Sequence, residues 1–210
     1  SRLPIKYRCF THFQLWQIKV GNDSQESDSM VLPFLSNSEV KRLSDISSPR
    51  RKREYLLSRT LIRYALKQVF ALPFNHWDII ECNGARFRIN NLPTPVFYSL
   101  SHRDGEISFV MAPKAIGIDI EVIKSRKNLR ELAQQFMHVN ELNCLGTPED
   151  VLYFYRTWSA KEAYFKALSG ENQLSTVLSE IQIWPLLNNG GWQQTDLTDE
   201  HFSRIVVMQA

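Results

Sequence analysis

Apolar and polar positions along this 210-residue chain recur with two periods, and together they predict short strands set around two long helices. His12 to Val20 is aromatic and β-branched and predicts a strand, and the polar run from Gly21 to Ser29 predicts a loop. Ser36 with Glu39 three residues later forms a capping-box pattern, which opens a short helix reaching about Ile46. Ser48-Pro49 pairs an N-cap with a first-turn proline. The helix it opens carries Tyr55, Leu56, Leu61, Ile62, Ala65, Leu66 and Val69 at helical spacing and stops before Pro73. Short strands are expected around Trp77 to Glu81, Phe87 to Ile89 and Val96 to Leu100, and a hairpin from Ile107 to Ala112 and Ala115 to Val122 around Pro113-Lys114. A basic loop, Lys124 to Lys127, precedes expected helices at Leu129 to His138, Glu141 to Leu145 and Glu149 to Leu168. Strands are then expected at Glu180 to Trp184 and Arg204 to Met208, with a turn at Asn188 to Gly191 between them.

This element order predicts an α+β fold made of two similar halves, 1–112 and 113–210, each a small antiparallel sheet packed with one long helix. The active site is expected between the halves, where pockets often form. The duplication rests on element order, since no sequence repeat accompanies it.

Composition narrows the class. With 43% hydrophobic and 22% charged residues the chain is an ordinary globular one, long enough to bury a core. A net charge of only +3 argues against a general polyanion binder. Cys9, Cys82 and Cys144 are scattered and form no C-x-x-C pattern, which argues against a disulfide framework or a zinc site and for a reducing compartment. No apolar run approaches the ~18 residues a membrane span needs, and the first residues include no apolar signal region. A cytoplasmic protein away from membranes is the expectation.

Two distant stretches hold the candidate chemistry. Within Gly117-Ile118-Asp119-Ile120-Glu121, strand alternation points Asp119 and Glu121 to one side and the isoleucines to the other. Within Trp158 to Lys166, Glu162 and Lys166 stand one helical turn apart, and Trp158 precedes Glu162 by another turn as a candidate site wall. Three carboxylates and an ammonium can thus converge on a divalent cation and an anionic substrate. Taken singly, a D-x-E strand is more often a solvated edge, and a Glu/Lys pair a surface ion pair of small value. Arg50-Arg51-Lys52-Arg53 opposes the dipole at a helix start, where a bound phosphate would reverse the effect. Arg42, Arg59, Arg63, Arg86 and Arg88 are further candidates for that cationic patch. His102, in Ser99-Leu100-Ser101-His102, is a candidate phosphate or hydroxyl contact. No nucleophile elbow, P-loop, dinucleotide fingerprint or zincin motif occurs.

At this point the chain resembles a known family. "GIDIE" at 117–121 and "FYRTWSAKEAYFKAL" at 154–168 are similar to the paired signatures of 4'-phosphopantetheinyl transferases. "SLSH" at 99–102 is similar to a third family motif, and "YLLSRTLIR" at 55–63 to the N-terminal helix. The resemblance spans roughly residues 36–170 and is closest to the larger, surfactin-synthetase-activating type, a monomer of two similar α+β halves. It implies that Asp119, Glu121 and Glu162 hold Mg2+ and that Lys166 contacts a coenzyme A phosphate. Ser101 and His102 would contact coenzyme A, and Arg42 would sit where the family places a coenzyme A cation, with Arg53 beside it in the basic run. The family's Gly-Lys-Pro turn is replaced here by Gly84-Ala85-Arg86-Phe87-Arg88, so that Arg86 or Arg88 would take the place of the lysine.

The implied reaction moves 4'-phosphopantetheine from coenzyme A to a serine of an acyl or peptidyl carrier protein, with release of 3',5'-ADP. The nucleophile then lies on the partner, which accounts for its absence here. Glu162 would act as the base, Asp119 as a catalytic metal ligand and Lys166 as the cation facing the leaving group. Lys124, Arg126, Lys127 and Arg130 offer a basic face to an acidic carrier. Two alternatives stay open: a small RNA-binding module using residues 50–53, and a Mg2+-dependent phosphodiesterase.

Overall fold

A computed structural model describes residues 4–21, 30–82, 86–146, 150–198 and 203–210. Most of the expected loop after Gly21, the Gly84-Ala85 part of the departing turn and the Glu149 helix start lie outside the described residues. The architecture is α+β, with helices set against antiparallel strands, and the chain divides into two compact units.

The first unit comprises Ser1–Val96 and Gly105–Phe109. Strands β1 (Lys6–Cys9) and β2 (Gln14–Lys19) pair antiparallel, with Tyr7 opposite Trp16. A long helix, α2 (Pro49–Phe70), packs on β2, and a short one, α1 (Asn37–Asp45), packs on α2. Their expected caps form. Ser36 Oγ accepts from the Glu39 amide while the Ser36 amide donates to Glu39 Oε2, and Ser48 caps α2. Leu57, Leu61, Ile62, Ala65 and Leu66 form the buried face of α2. It ends at Ala71, which takes a left-handed φ of 56° as the helix stops. The two-residue strands β3 (Ile79–Ile80) and β4 (Arg88–Ile89) pair with each other, β3 lying against α1.

Arg59 and Arg63 do not belong to a phosphate patch. Arg63 is fully buried and grips the equally buried Glu39 with two hydrogen bonds of 2.9 and 2.6 Å. Its Nη2 also donates to Phe34 O. Arg59 is 3.4 Å from Glu39 and hydrogen-bonds Glu81, which also accepts from Tyr55 Oη at 2.7 Å. Charges this dry require partners, so the helical spacing that seemed to extend the basic run instead builds an internal lattice tying α1 to α2.

The second unit comprises Phe97–Asp104 and Val110–Ala210. The Ser101-His102 segment therefore groups with the D-x-E strand. Strand β5 (Phe97–Arg103) continues through both residues. Asp104 and Gly105, with φ of 48° and 85°, make the turn that leads into β6 (Glu106–Ala112). That two-residue, positive-φ geometry favours Asp-Gly. Strand β7 (Ile116–Val122) forms no hairpin with β6. It pairs instead with β9 (Ser203–Gln209), and β9 pairs with β8 (Gln193–Thr198), in the order β7-β9-β8. The apolar run of β7 is explained by its burial along almost its whole length.

Helices α3 (Leu129–Ala133) and α4 (Val139–Leu142) are shorter than expected and lead to α5 (Asp150–Ala167), which packs on β7 and β9. Two more helices follow, α6 (Gly170–Ser175) and α7 (Ile183–Asn189). The strand expected at Glu180 to Trp184 is absent. Leu178–Glu180 is a 3-10 turn, and Ile183 starts α7, with Pro185 in its first turn, where no amide donor is needed. The apolar residues there are buried by helix packing of Ile183 against Ala160, Ala163, Val206 and Met208. Strand β8 carries polar residues at most positions, β1 is half polar, and neither is among the expected strands. No helix among the described residues is long and apolar enough to cross a membrane, and the three cysteines are free.

The closed ion pair in the first unit yields a stability prediction. Glu39→Ala strands the Arg63 guanidinium and should cost about 3–5 kcal/mol, lowering Tm in thermal unfolding by roughly 10 °C. Arg50→Ala, which breaks only the exposed pair with Glu54, should change stability by less than about 0.5 kcal/mol.

Candidate active site

The site of the second unit is built on β7 and α5. Strand alternation puts Gly117, Asp119 and Glu121 on one side of β7, and α5 covers that side. A Cβ at Gly117 would fall 1.8 Å from Ala163 O and 2.8 Å from the Ala167 amide nitrogen, so the helix backbone lies directly on the strand. Glycine is required at this position by close approach rather than by backbone conformation.

On this contact two acids meet two residues of the helix. Lys166 Nζ lies 2.7 Å from Asp119 Oδ1 and 3.3 Å from Ser101 Oγ. Trp158 Nε1 donates to Glu121 Oε1 at 3.0 Å. Ser101 Oγ also accepts from the Ile120 amide at 3.2 Å, and Ser99 Oγ accepts from the Ile118 amide at 3.3 Å. The i, i+2 serines of β5 thereby satisfy two amides of β7. Arg103, at the end of β5, places Nε 3.5 Å from Glu121 Oε2. Asp119 and Glu121 are only 5% and 8% exposed, yet Asp119 Oδ2 and Glu121 Oε2 each lack a hydrogen-bond partner. Two buried carboxylate oxygens on one strand face offer lone pairs that a cation or water would satisfy.

Electrostatics reinforce the point. Burial pushes the Glu121 carboxyl above its ordinary range and Asp119 pushes the same way, against the Trp158 hydrogen bond and the Arg103 and Arg126 charges. Burial also raises Glu162; Lys166 opposes the rise, while Asp119 and Glu121 add to it. No cluster of three His, Cys, Asp or Glu side chains spaced to hold a metal occurs among the described residues. Hard, buried carboxylate oxygens without partners are nonetheless the donor type that Mg2+ takes, and the residues present fit such an ion.

Beside Glu121 opens a cavity of about 400 Å3, walled by Phe136, Phe154, Tyr155, Trp158 and Leu178, with Arg103 and Arg126 among its polar residues. Of the other residues singled out from sequence, His102 is exposed on β5 next to the buried Ser101. Lys124, Arg126, Lys127 and Arg130 are all exposed. Lys124 pairs with Asp104, and Arg126 Nε donates to Tyr155 Oη at 2.9 Å. Arg42 is exposed in the last turn of α1, where a cation suits the helix dipole. Arg53 on α2 and Arg86 before β4 are half-buried. All three belong to the first unit. Sequence reasoning gave no role to Gly117, Ser99 or Arg103. A lone glycine inside an apolar strand was the available signal for the first, and the Ser-x-Ser alternation for the second.

Residues 115–206 match the family model of the 4'-phosphopantetheinyl transferase superfamily. The chain is 32% identical over 163 residues to the 4'-phosphopantetheinyl transferase gsp of Aneurinibacillus migulanus, covering 72% of this chain and 63% of gsp. It is 32% identical over 81 residues to AcpT of Escherichia coli, covering 37% of this chain and 42% of AcpT. To Sfp of Bacillus subtilis it is 25% identical over 181 residues, covering 85% of this chain and 78% of Sfp. The chain thus spans less than two thirds of the length of gsp and of AcpT.

The raised carboxyls yield a prediction for the metal-free protein. A carboxyl raised by folding stabilises the fold when protonated, and that contribution is lost as pH rises through the raised value. At pH 8 the wild type bears the cost of a half-buried Glu162 anion that an amide does not bear. Glu162→Gln should therefore raise Tm in EDTA at pH 8, and the difference should close near pH 4. A lower Tm for the variant at pH 8 would contradict the assigned direction.

Proposed function

We propose that the protein transfers 4'-phosphopantetheine from coenzyme A to the acceptor serine of an acyl or peptidyl carrier protein, releasing 3',5'-ADP. The observation that supports this reading best is the pair of buried oxygens of Asp119 and Glu121 that make no hydrogen bond, with the Lys166 ammonium on Asp119. Together they form a dry recess able to take both a hard cation and a phosphate. Asp119, Glu121 and Glu162 would hold Mg2+, which when bound supplies neutralisation of pyrophosphate charge.

The remaining chemistry belongs to the chain. Glu162, one helical turn before Lys166 on the same face of α5, takes the proton of the carrier serine. As it does so, the serine oxygen bonds to the phosphorus on the pantetheine side and the bridging P–O bond breaks. Lys166 faces the charge that develops on the departing 3',5'-ADP, and Asp119 keeps that ammonium in place. Ser101 and His102 contact coenzyme A, and Arg42, Arg53 and Arg86 supply cations for its phosphates. The exposed basic residues from Lys124 to Arg130 steer an acidic carrier. The three free cysteines suit a reducing, cytoplasmic setting, and we propose a monomer as the working form.

Mass spectrometry of apo carrier proteins incubated with the protein, coenzyme A and Mg2+ tests this reading. The expected result is a mass gain of one phosphopantetheine group on the carrier. Hydrolysis of coenzyme A with no carrier present would favour a phosphodiesterase instead. Asp119→Ala should reduce transfer by roughly 10^2–10^3 with the far-UV spectrum unchanged. Glu162→Gln should lower kcat by roughly 10^2 at saturating Mg2+, and full rescue by excess metal would remove Glu162 from the base role. Neutralising Arg42 and Arg53 together should raise the KM for coenzyme A more than it lowers kcat.

A further inference from the structure

We infer that Trp158 is a positioning residue: its indole N–H fixes which way the Glu121 carboxylate turns, and so leaves one of its oxygens available for a divalent cation. The inference rests on the functional reading above for the identity of that cation.

The Trp158 bond is the one hydrogen bond made to the Glu121 side chain among the described residues. An indole N–H can only donate, so it engages one carboxylate oxygen, Oε1, and leaves Oε2 uncovered. Arg103 competes at that oxygen. Its Nε lies 3.5 Å from Oε2, outside the hydrogen bonds made here, and its side chain is 44% exposed. A carboxylate released from the indole would be free to turn toward this guanidinium, which offers a fork suited to carboxylate. Trp158 and Arg103 thus hold Glu121 between a packed donor and a solvent-exposed one.

The rigidity of the indole comes from a buried scaffold. The Phe136 ring meets it edge-on at a centroid distance of 4.6 Å and an angle of 70°. Phe136 O accepts from Lys161 Nζ, a fully buried ammonium that also donates to Leu178 O and Ile181 O, each at 2.8 Å, and pairs with Glu141 at 2.6 Å. With its partners all internal, Lys161 locks the chain segment that presses on the indole. Trp158 also precedes Glu162 by one helical turn, so one face of α5 orients one proposed ligand and supplies another. Outer-sphere groups that orient a ligating carboxylate typically contribute 10–100-fold to metal affinity.

Trp158→Phe keeps an aromatic ring against Phe136 and removes the N–H. Mn2+ binding to the full chain, measured by calorimetry or electron paramagnetic resonance, should weaken by roughly 10-fold, with the EDTA-treated Tm close to wild type. In carrier modification the variant should need more metal and regain rate as metal is raised. In a Glu121→Gln background the same change should weaken Mn2+ binding no further, and Arg103→Gln added to Trp158→Phe should restore part of the affinity. Equal Mn2+ affinity for wild type and Trp158→Phe overturns the inference, as does additive loss in the Glu121→Gln background. Should Trp158→Phe lose its fold, the Arg103→Gln single variant decides, because removal of the competitor should tighten Mn2+ binding and an unchanged affinity overturns the inference. A wild type that binds no Mn2+ and modifies no carrier refutes the functional reading itself. A wild type that does both, with Trp158→Phe indistinguishable from it, refutes only the role of Trp158.

Discussion

The second unit depends on one backbone contact, the seating of Ala163 O against Gly117. No other residue type fits, because even a methyl group would overlap the helix backbone. The closeness of this contact lets short and long side chains alike bridge strand and helix, from Lys166 to Asp119 and from Trp158 to Glu121. Moving the helix outward by the width of a methyl group would stretch both bridges beyond hydrogen-bond range, since donor–acceptor contacts weaken steeply past about 3.2 Å. The core of the unit, with Ala160 and Ala163 against Val206 and Met208, supplies the apolar burial that presses helix and strand together. Small alanines on the packed face match the missing side chain on the strand.

Buried charge is handled in two opposite ways in this chain. In the Glu39–Arg63 pair and the Lys161–Glu141 pair each ion is buried, ion-paired and hydrogen-bonded to backbone groups as well, although Arg63 Nε makes no hydrogen bond. Such pairs contribute little net stability against an apolar replacement, but they are costly to break and so favour one arrangement of the elements they join. Around Asp119, Glu121 and Glu162 the accounting stays open. Lys166 pairs with Asp119, burial raises Glu121 and Glu162, and one buried oxygen on each of Asp119 and Glu121 makes no hydrogen bond. A fold able to complete the Lys161 lattice could have completed this one too. Leaving it open lowers the stability of the free protein, as expected where a ligand completes the site.

Much of this was legible in the order of residues. The capping box at Ser36, the Ser48-Pro49 helix start and the alternation that sends Asp119 and Glu121 to one side depend on near neighbours, and near neighbours are what a sequence displays. Failures arose where a distant partner decides. Arg59 and Arg63 read as an extension of a basic run because Glu39 and Glu81, which neutralise them, stand about twenty residues away on either side. Residues 180–184 read as a strand because apolar residues in a short run fit either element, and packing of Ile183 on α5 decided for a helix. The strands flanking Pro113 read as a hairpin although β7 finds its partner in β9, more than eighty residues later. Trp158 was visible as a wall, but its hydrogen bond to Glu121 appears only once helix and strand are in register.

That register follows from dimensions. Four helical residues rise about 6.0 Å and two strand residues about 6.7 Å, so a helix laid along a strand matches one turn with each second strand residue. Gly117 meets the backbone at Ala163 and Ala167, while Glu121 meets Trp158 further back along α5, so the two run in opposite directions. Asp119 falls at an intermediate level, and Lys166 reaches it because side chains on a helix lean toward its N-terminus. Spacings of two on the strand and four on the helix therefore describe one ladder. A single insertion on either side would leave each acid facing the wrong partner.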